Sequence, residues 1–155
     1  MSWTEADVIA HHKEHGFPPP QFEQQERQAK AHKYSAKAKT VFGVTFPSSW
    51  EAKCFETLVL MLNAGELKQI ATQVEYELQP AFRHPETGRL VRAIRYVADF
   101  FVLAHDGYAC VIESKGLELP AWRLKEKLFR AKWPNLPLVV WTRKAGNLGD
   151  LGRGK

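Results

Sequence analysis

The sequence is poor in cysteine, with two in 155 residues, and Cys54 and Cys110 stand far apart in apolar surroundings. No paired-cysteine spacing suits a zinc site, and a disulfide framework has no basis. Both thiols read as small buried hydrophobes of a reducing compartment. Long apolar runs are missing too: nothing approaches the roughly 20 residues of a membrane-spanning helix. The N-terminus carries no signal-peptide pattern. These absences lead us to expect a cytoplasmic protein with no membrane partner. Acidic excess is also lacking, since 22 Lys and Arg face 17 Asp and Glu for a net charge of +5.

What is present is unevenly placed. Residues 26–39 hold five Lys or Arg against one Glu, and residues 122–144 hold seven against one, so the remainder is net acidic. Positive charge gathered into two segments points to a polyanion partner, against the plainer alternative of a solvated basic surface. A chain of this length with ordinary apolar and charged shares makes one domain with a real core.

Residues 2–15 have the pattern of a short helix, ended by Gly16 and followed by three consecutive prolines that enforce an extended linker. His11 and His15 lie one helical turn apart, but without a third ligand they read as exposed polar residues. Residues 21–40 are polar and basic with little apolar periodicity. In this arm Lys30, Lys33, Lys37 and Lys39, with Tyr34 among them, suit a phosphate backbone, or else form a plain linker.

The segment VFGVTF predicts a short strand or extended stretch. Ser48 and Glu51 have the spacing of a capping box, so a helix is expected from there, with Trp50, Cys54, Leu58 and Met61 on its buried stripe. A strand is expected over residues 72–82, a hairpin turn at HPETG, and a long strand from Val91 through Asp99. Asp106 and Gly107 predict the tight turn into the next strand, which ends at Gly116. The segment PAWRLKEKLFRAKW predicts a helix with Leu124 and Leu128 facing the core. Arg123, Lys127 and Arg130 then form a basic stripe, a DNA-contacting face or an ordinary solvated one. LPLVVW is expected to be a strand buried on both faces, parallel to a neighbour. The glycine-rich end is expected to fray.

Three charges interrupt the apolar strands: Asp99, Glu113 and Lys115. Burying an unpaired charge costs several kcal/mol, so these need a partner, a metal or a wet cleft. Period-two alternation points Glu113 and Lys115 the same way, and a hairpin brings Asp99 beside them. Two carboxylates and a lysine at one sheet end suit a divalent metal and a water nucleophile. The same residues also suit a buried ion pair that holds strands in register. Glu51 is explained equally by capping and by a site role.

With Asp99 followed by the run Glu113-Ser114-Lys115, this order resembles the PD-(D/E)XK nuclease superfamily over roughly residues 30–142. Within it, the motifs SSWE, ELQP, YVADF and VIESKG are similar to those of small phage and prophage proteins. A phage Holliday-junction resolvase, endonuclease I, is a more distant likeness. Ala98 departs from the proline of the superfamily's name. The resemblance implies an α/β fold with a restriction-endonuclease-like core, a mixed central sheet flanked by helices in α-β-β-β-α-β order. It implies Mg2+ or Mn2+ held by Asp99, Glu113 and the Ser114 backbone carbonyl, with Glu51 as an added acid and Lys115 acting on the attacking water. DNA is the implied substrate, and a homodimer is expected if that substrate is a four-way junction. A non-catalytic nucleic-acid-binding accessory protein is the alternative. The expected organisation is an N-terminal helix, linker and arm over 1–40, the nuclease-like domain over 41–144, and a flexible tail over 145–155.

Overall fold

The computed structural model describes residues 38–116 and 119–153. The expected N-terminal helix, the proline linker and Lys30, Lys33 and Lys37 of the arm lie outside the described residues. Two short strands, β1 (Lys39–Val41) and β2 (Val44–Phe46), precede helix α1 (Ser49–Asn63). Then come β3 (Leu67–Gln79), β4 (Phe82–Arg83), β5 (Leu90–Val91), β6 (Ile94–Ala104), β7 (Ala109–Lys115), helix α2 (Pro120–Lys132) and β8 (Leu138–Thr142). The central sheet has the order β3-β6-β7-β8. Its first three strands are antiparallel, and β8 returns parallel to β7 through the α2 crossover. This is the expected mixed α/β sheet flanked by two helices.

Alternation along the strands builds two cores. Phe100, Val102, Cys110 and Ile112 pack with Trp50, Cys54 and Leu58 of α1. Phe101, Leu103 and Val111 pack on the opposite face with Trp122 and Phe129 of α2.

Helix α1 starts where its cap dictates, with the Glu51 amide donating to Ser48 Oγ at 3.1 Å. It ends where Gly65 takes a φ of +77° and its amide reaches Leu62 O. The segment before it folds as a hairpin rather than a single extended stretch. Phe42 and Gly43 both have positive φ, as a tight turn between twisted strands requires. The β3 strand begins at Leu67, five residues ahead of expectation, directly after the Gly65 turn.

Of the two leucines expected to face the core from α2, Leu128 packs against it and Leu124 does not. Leu124 is 58% exposed, whereas Trp122 and Phe129 are buried against Tyr76 and Tyr96. Large rings remove more apolar area from water than leucines do, so they set the helix's rotation. The edge strand β8 buries Leu138 and Trp141 but leaves Val139 and Val140 half-buried, unlike the fully covered strand expected.

The glycine-rich end is not a free tail over its described part. The Asn147 amide donates to Val140 O and accepts from Thr142 N, pairing the β8 edge as another strand would. Trp141 Nε1 donates to Asp150 O, Tyr108 OH donates to Leu151 O, and Leu151 is buried. At Gly152 a Cβ would stand 2.8 Å from a Val139 methyl, so only glycine lets the chain lie this close.

Candidate functional site

The β6–β7 hairpin closes through Asp106, whose Oδ1 accepts from the Tyr108 amide at 3.0 Å, and through Gly107 at a φ of +85°. From there the ladder pairs Leu103 with Ala109 and continues to Phe100 with Ile112, where it stops. Beyond that point β7 stays with β8 through Lys115, while β6 stays with β3 down to Ile94. The two middle strands therefore diverge, and their freed polar groups must find other partners.

Asp99 bridges the gap. Its Oδ2 accepts from the Ser114 amide at 2.8 Å and from Ser114 Oγ at 2.7 Å. Across the opening, Glu113 is only 3% exposed. Its Oε2 accepts from Tyr96 OH at 2.6 Å, and its Oε1 forms an ion pair with Lys115 Nζ. That ammonium lies 4.4 Å from the centroid of the Trp122 ring, which holds it from a second side.

Burial, followed by the negative charge of Asp99, pushes the Glu113 carboxyl from 4.5 up to about 7. The Tyr96 phenol, raised well above its ordinary value by burial and by Glu113, stays a proton donor. Burial lifts the Cys54 thiol to about 12, with Asp99 and Glu51 adding to the rise. Both carboxylates therefore sit near this side of α1, and Cys54 is an inert thiol rather than a nucleophile.

Glu51 is more than a helix cap. Its carboxylate is 5% exposed and Oε1 accepts from Gln73 Nε2 of β3 at 3.1 Å. At this level of the sheet the alternation slips in two adjacent strands at once. Tyr96 and Ala98 belong to the core beneath α2, yet Phe100 belongs to the core beneath α1, with Asp99 at the slip. In β3, Ala71 and Val74 both face α2, with Gln73 between them at a φ of +55°.

The structure thus brings the three charges to the diverging strand ends but not to one face as period two predicts: Asp99 meets Ser114 on the α1 side, nearer Glu51, while Glu113 and Lys115 lie toward α2 with Tyr96 and Trp122. Among the described residues no three His, Cys, Asp or Glu side chains form a group that could hold a metal ion. The donor chemistry nonetheless fits a hard divalent cation. Two carboxylates lie close enough for one to raise the other's pKa, and a cation between them would remove that repulsion.

The basic stripe divides. Arg123, Lys127 and Arg130 are all exposed, but Arg130 donates to Glu126 Oε1 and to Leu138 O, which ties α2 to β8. Lys39, the described lysine of the arm, pairs with Glu56 of α1 at 2.8 Å. Tyr96, Gln73, Arg95 and Lys125 escaped the sequence reading. Arg95 and Lys125 line a cleft of about 280 Å³ with Lys115, Glu113, Tyr96 and Trp122. Tyr96 opens the YVADF motif, two places before Ala98, so period two was the available signal. Nothing in the sequence marks Gln73.

Residues 31–149 match the family described as "Protein of unknown function (DUF1064)". The chain belongs to this family. The match takes in both helices, the whole central sheet and Asn147, so the polar opening and the edge-capping asparagine both fall inside the family region. No curated protein matches the chain, and no solved structure does.

Proposed function

We propose that the protein is a Mg2+- or Mn2+-dependent endonuclease that hydrolyses DNA phosphodiester bonds. The observation that supports this most is a buried Glu113 carboxylate beside Asp99 and Lys115, where two strands part and leave an opening to solvent. A purely nucleic-acid-binding surface has no need of two neighbouring carboxylates facing phosphate. Asp99, Glu113 and the Ser114 carbonyl would hold the cation, with Glu51 a further acid beside them. A bound divalent cation would supply charge neutralisation at phosphate and an acidified water. Lys115, fixed between Glu113 and the Trp122 ring, would orient the attacking water and offset charge building on the phosphorus oxygens. Arg95 and Lys125 on the cleft, with Arg123 and Lys127 on α2, would contact the flanking phosphates.

A four-way junction as substrate would call for a symmetric pair of protomers making two cuts. The test is cleavage of four-way junction, flap, duplex and single-stranded DNA with Mg2+ or Mn2+, with Asp99→Asn as control. Metal-dependent products from wild type alone are expected. Equal cleavage by both proteins, or none by wild type, overturns the proposal.

One observation favours a second reading, a non-catalytic nucleic-acid-binding accessory protein. Both Glu113 oxygens are already engaged, by Tyr96 and by Lys115, as in a self-contained ion pair. Under that reading the protein binds DNA without cutting it, and Asp99→Asn leaves DNA affinity unchanged.

A further inference from the structure

Two non-glycine residues among those described have left-handed backbones, Phe42 and Gln73. Phe42 is explained by the hairpin turn it shares with Gly43. Gln73 has no such excuse, because it lies inside the 13-residue strand β3 with paired residues on both sides, Thr72 with Phe100 and Val74 with Ala98. A non-glycine residue holds this conformation only where its surroundings over-determine it, and such residues gather at functional sites.

The consequences at this position are specific. The register sum is unchanged across Gln73, so the strand gains no extra residue; the backbone rotates instead. The rotation transfers the later residues of β3 to the α2 face, and β6 makes the same transfer at Asp99, which stands level with Gln73. Regular alternation would set Asp99 with Phe101 and Leu103 beneath α2. The slip sets it toward Ser114 and the α1 side, and it sets Tyr96 beneath α2, where its hydroxyl meets Glu113. The same residue then sends its amide to Glu51 Oε1 at 3.1 Å. One residue therefore touches the Glu51 acid through its side chain and sorts the other polar groups through its backbone.

We infer that Gln73 is the positioning residue of this site: its left-handed backbone turns Asp99 toward the α1 side, and its amide fixes the Glu51 carboxylate. This rests on the nuclease reading for its kinetic consequences but not for its geometry. An amide that fixes a ligating carboxylate changes metal affinity or turnover by about 10- to 100-fold when removed.

The side chain can be tested with the left-handed backbone kept. Gln73→Gly keeps the left-handed backbone without steric cost and deletes the amide. Gln73→Glu keeps side-chain length but sets a carboxylate against Glu51. Gln73→Gly should melt within a few degrees of wild type, with KM for DNA within about twofold and kcat down about tenfold. Gln73→Glu should lose more kcat than Gln73→Gly. Wild-type kcat in a folded Gln73→Gly protein, or Gln73→Glu matching Gln73→Gly, overturns the inference. If wild type cuts no DNA, the nuclease reading fails separately. The positioning contact is then read from urea midpoints of Gln73→Gly, Glu51→Gln and the double variant. Non-additive midpoints support the contact, and additive midpoints overturn it.

Discussion

The two ends of the β6–β7 hairpin make an instructive contrast. At the closed end, Phe100 to Leu103 pair with Ala109 to Ile112, and every one of these side chains is buried and apolar. At the open end the ladder has stopped, and Asp99, Glu113, Ser114 and Lys115 satisfy one another through side chains. The same two strands thus hold the fold together at one end and keep a charged opening at the other. Substitutions at the closed end should cost stability and spare chemistry, whereas substitutions at the open end should do the reverse.

The largest expected effect is at the open end. Asp99→Asn should lower metal-dependent cleavage by at least about 100-fold while leaving the melting temperature nearly unchanged. Steady-state kinetics with a thermal melt checks both halves. Next comes the closed end, where Phe100→Ala should cost about 3–5 kcal/mol through lost burial and a cavity. Cleavage per folded molecule should survive it. Urea unfolding beside an activity titration reads this, and an equal loss of activity in the folded fraction would erase the contrast.

The third prediction concerns pH. The folded Glu113 carboxyl sits near 7 against 4.5 for an ordinary glutamate, so the folded state binds the proton more tightly than the unfolded one. Below about pH 4.5 both states are protonated. Between about 4.5 and 7 the unfolded state has released its proton first, so stability falls as pH rises, by about 3 kcal/mol in all. Above that window the penalty is constant. Glu113→Gln, which keeps the bond from Tyr96, should remove this slope and be the more stable protein at pH 8, yet lack cleavage. Paired urea titrations from pH 4 to 8 would show parallel curves if the carboxyl were unperturbed.

Smaller effects bracket the comparison. Lys127→Ala should lower the salt dependence of DNA binding by about one unit of slope without changing stability. Arg130→Ala should instead cost about 1 kcal/mol, because its guanidinium holds Leu138 O. Filter binding across salt concentrations, with a melt for each variant, separates them. Of the same size, Tyr108→Phe at the closed end should cost about 1 kcal/mol through its bond to Leu151 O, with cleavage untouched.

Much of the fold was legible because its signals are local. Ser48 with Glu51 set the start of α1, the Asp106–Gly107 pair set the hairpin, and Pro120 and Pro134 bounded α2. In α2 helical spacing supports both a stripe through Leu124 and one through Trp122 and Phe129, and only the aromatic floor of Tyr76 and Tyr96 decides between them. The closing segment looked loose because its glycines and polar residues resemble a linker. Its order comes from Asn147 and Leu151 finding partners in β8 and at the hairpin turn, contacts that no local pattern encodes.

Within the site, Asp99, Glu113 and Lys115 stood out as charges in apolar strands, and period two brought Glu113 and Lys115 to one face. The slip at Asp99 was not legible, since what stands level with it is a left-handed residue, Gln73, in another strand. Strict alternation therefore placed all three charges together. The structure instead puts Asp99 with Ser114 on the α1 side and Glu113 with Tyr96 and Lys115 toward α2. Glu51 had two equal explanations, and the structure gives it both: its amide is capped by Ser48 and its carboxylate is held by Gln73.

The most direct test of the open end is a calorimetric titration of Mn2+ into wild type, Asp99→Asn and Glu113→Gln at pH 8. Saturable binding to wild type, lost in both variants, is the expected result. Binding of equal strength to all three, or none to wild type, would contradict it.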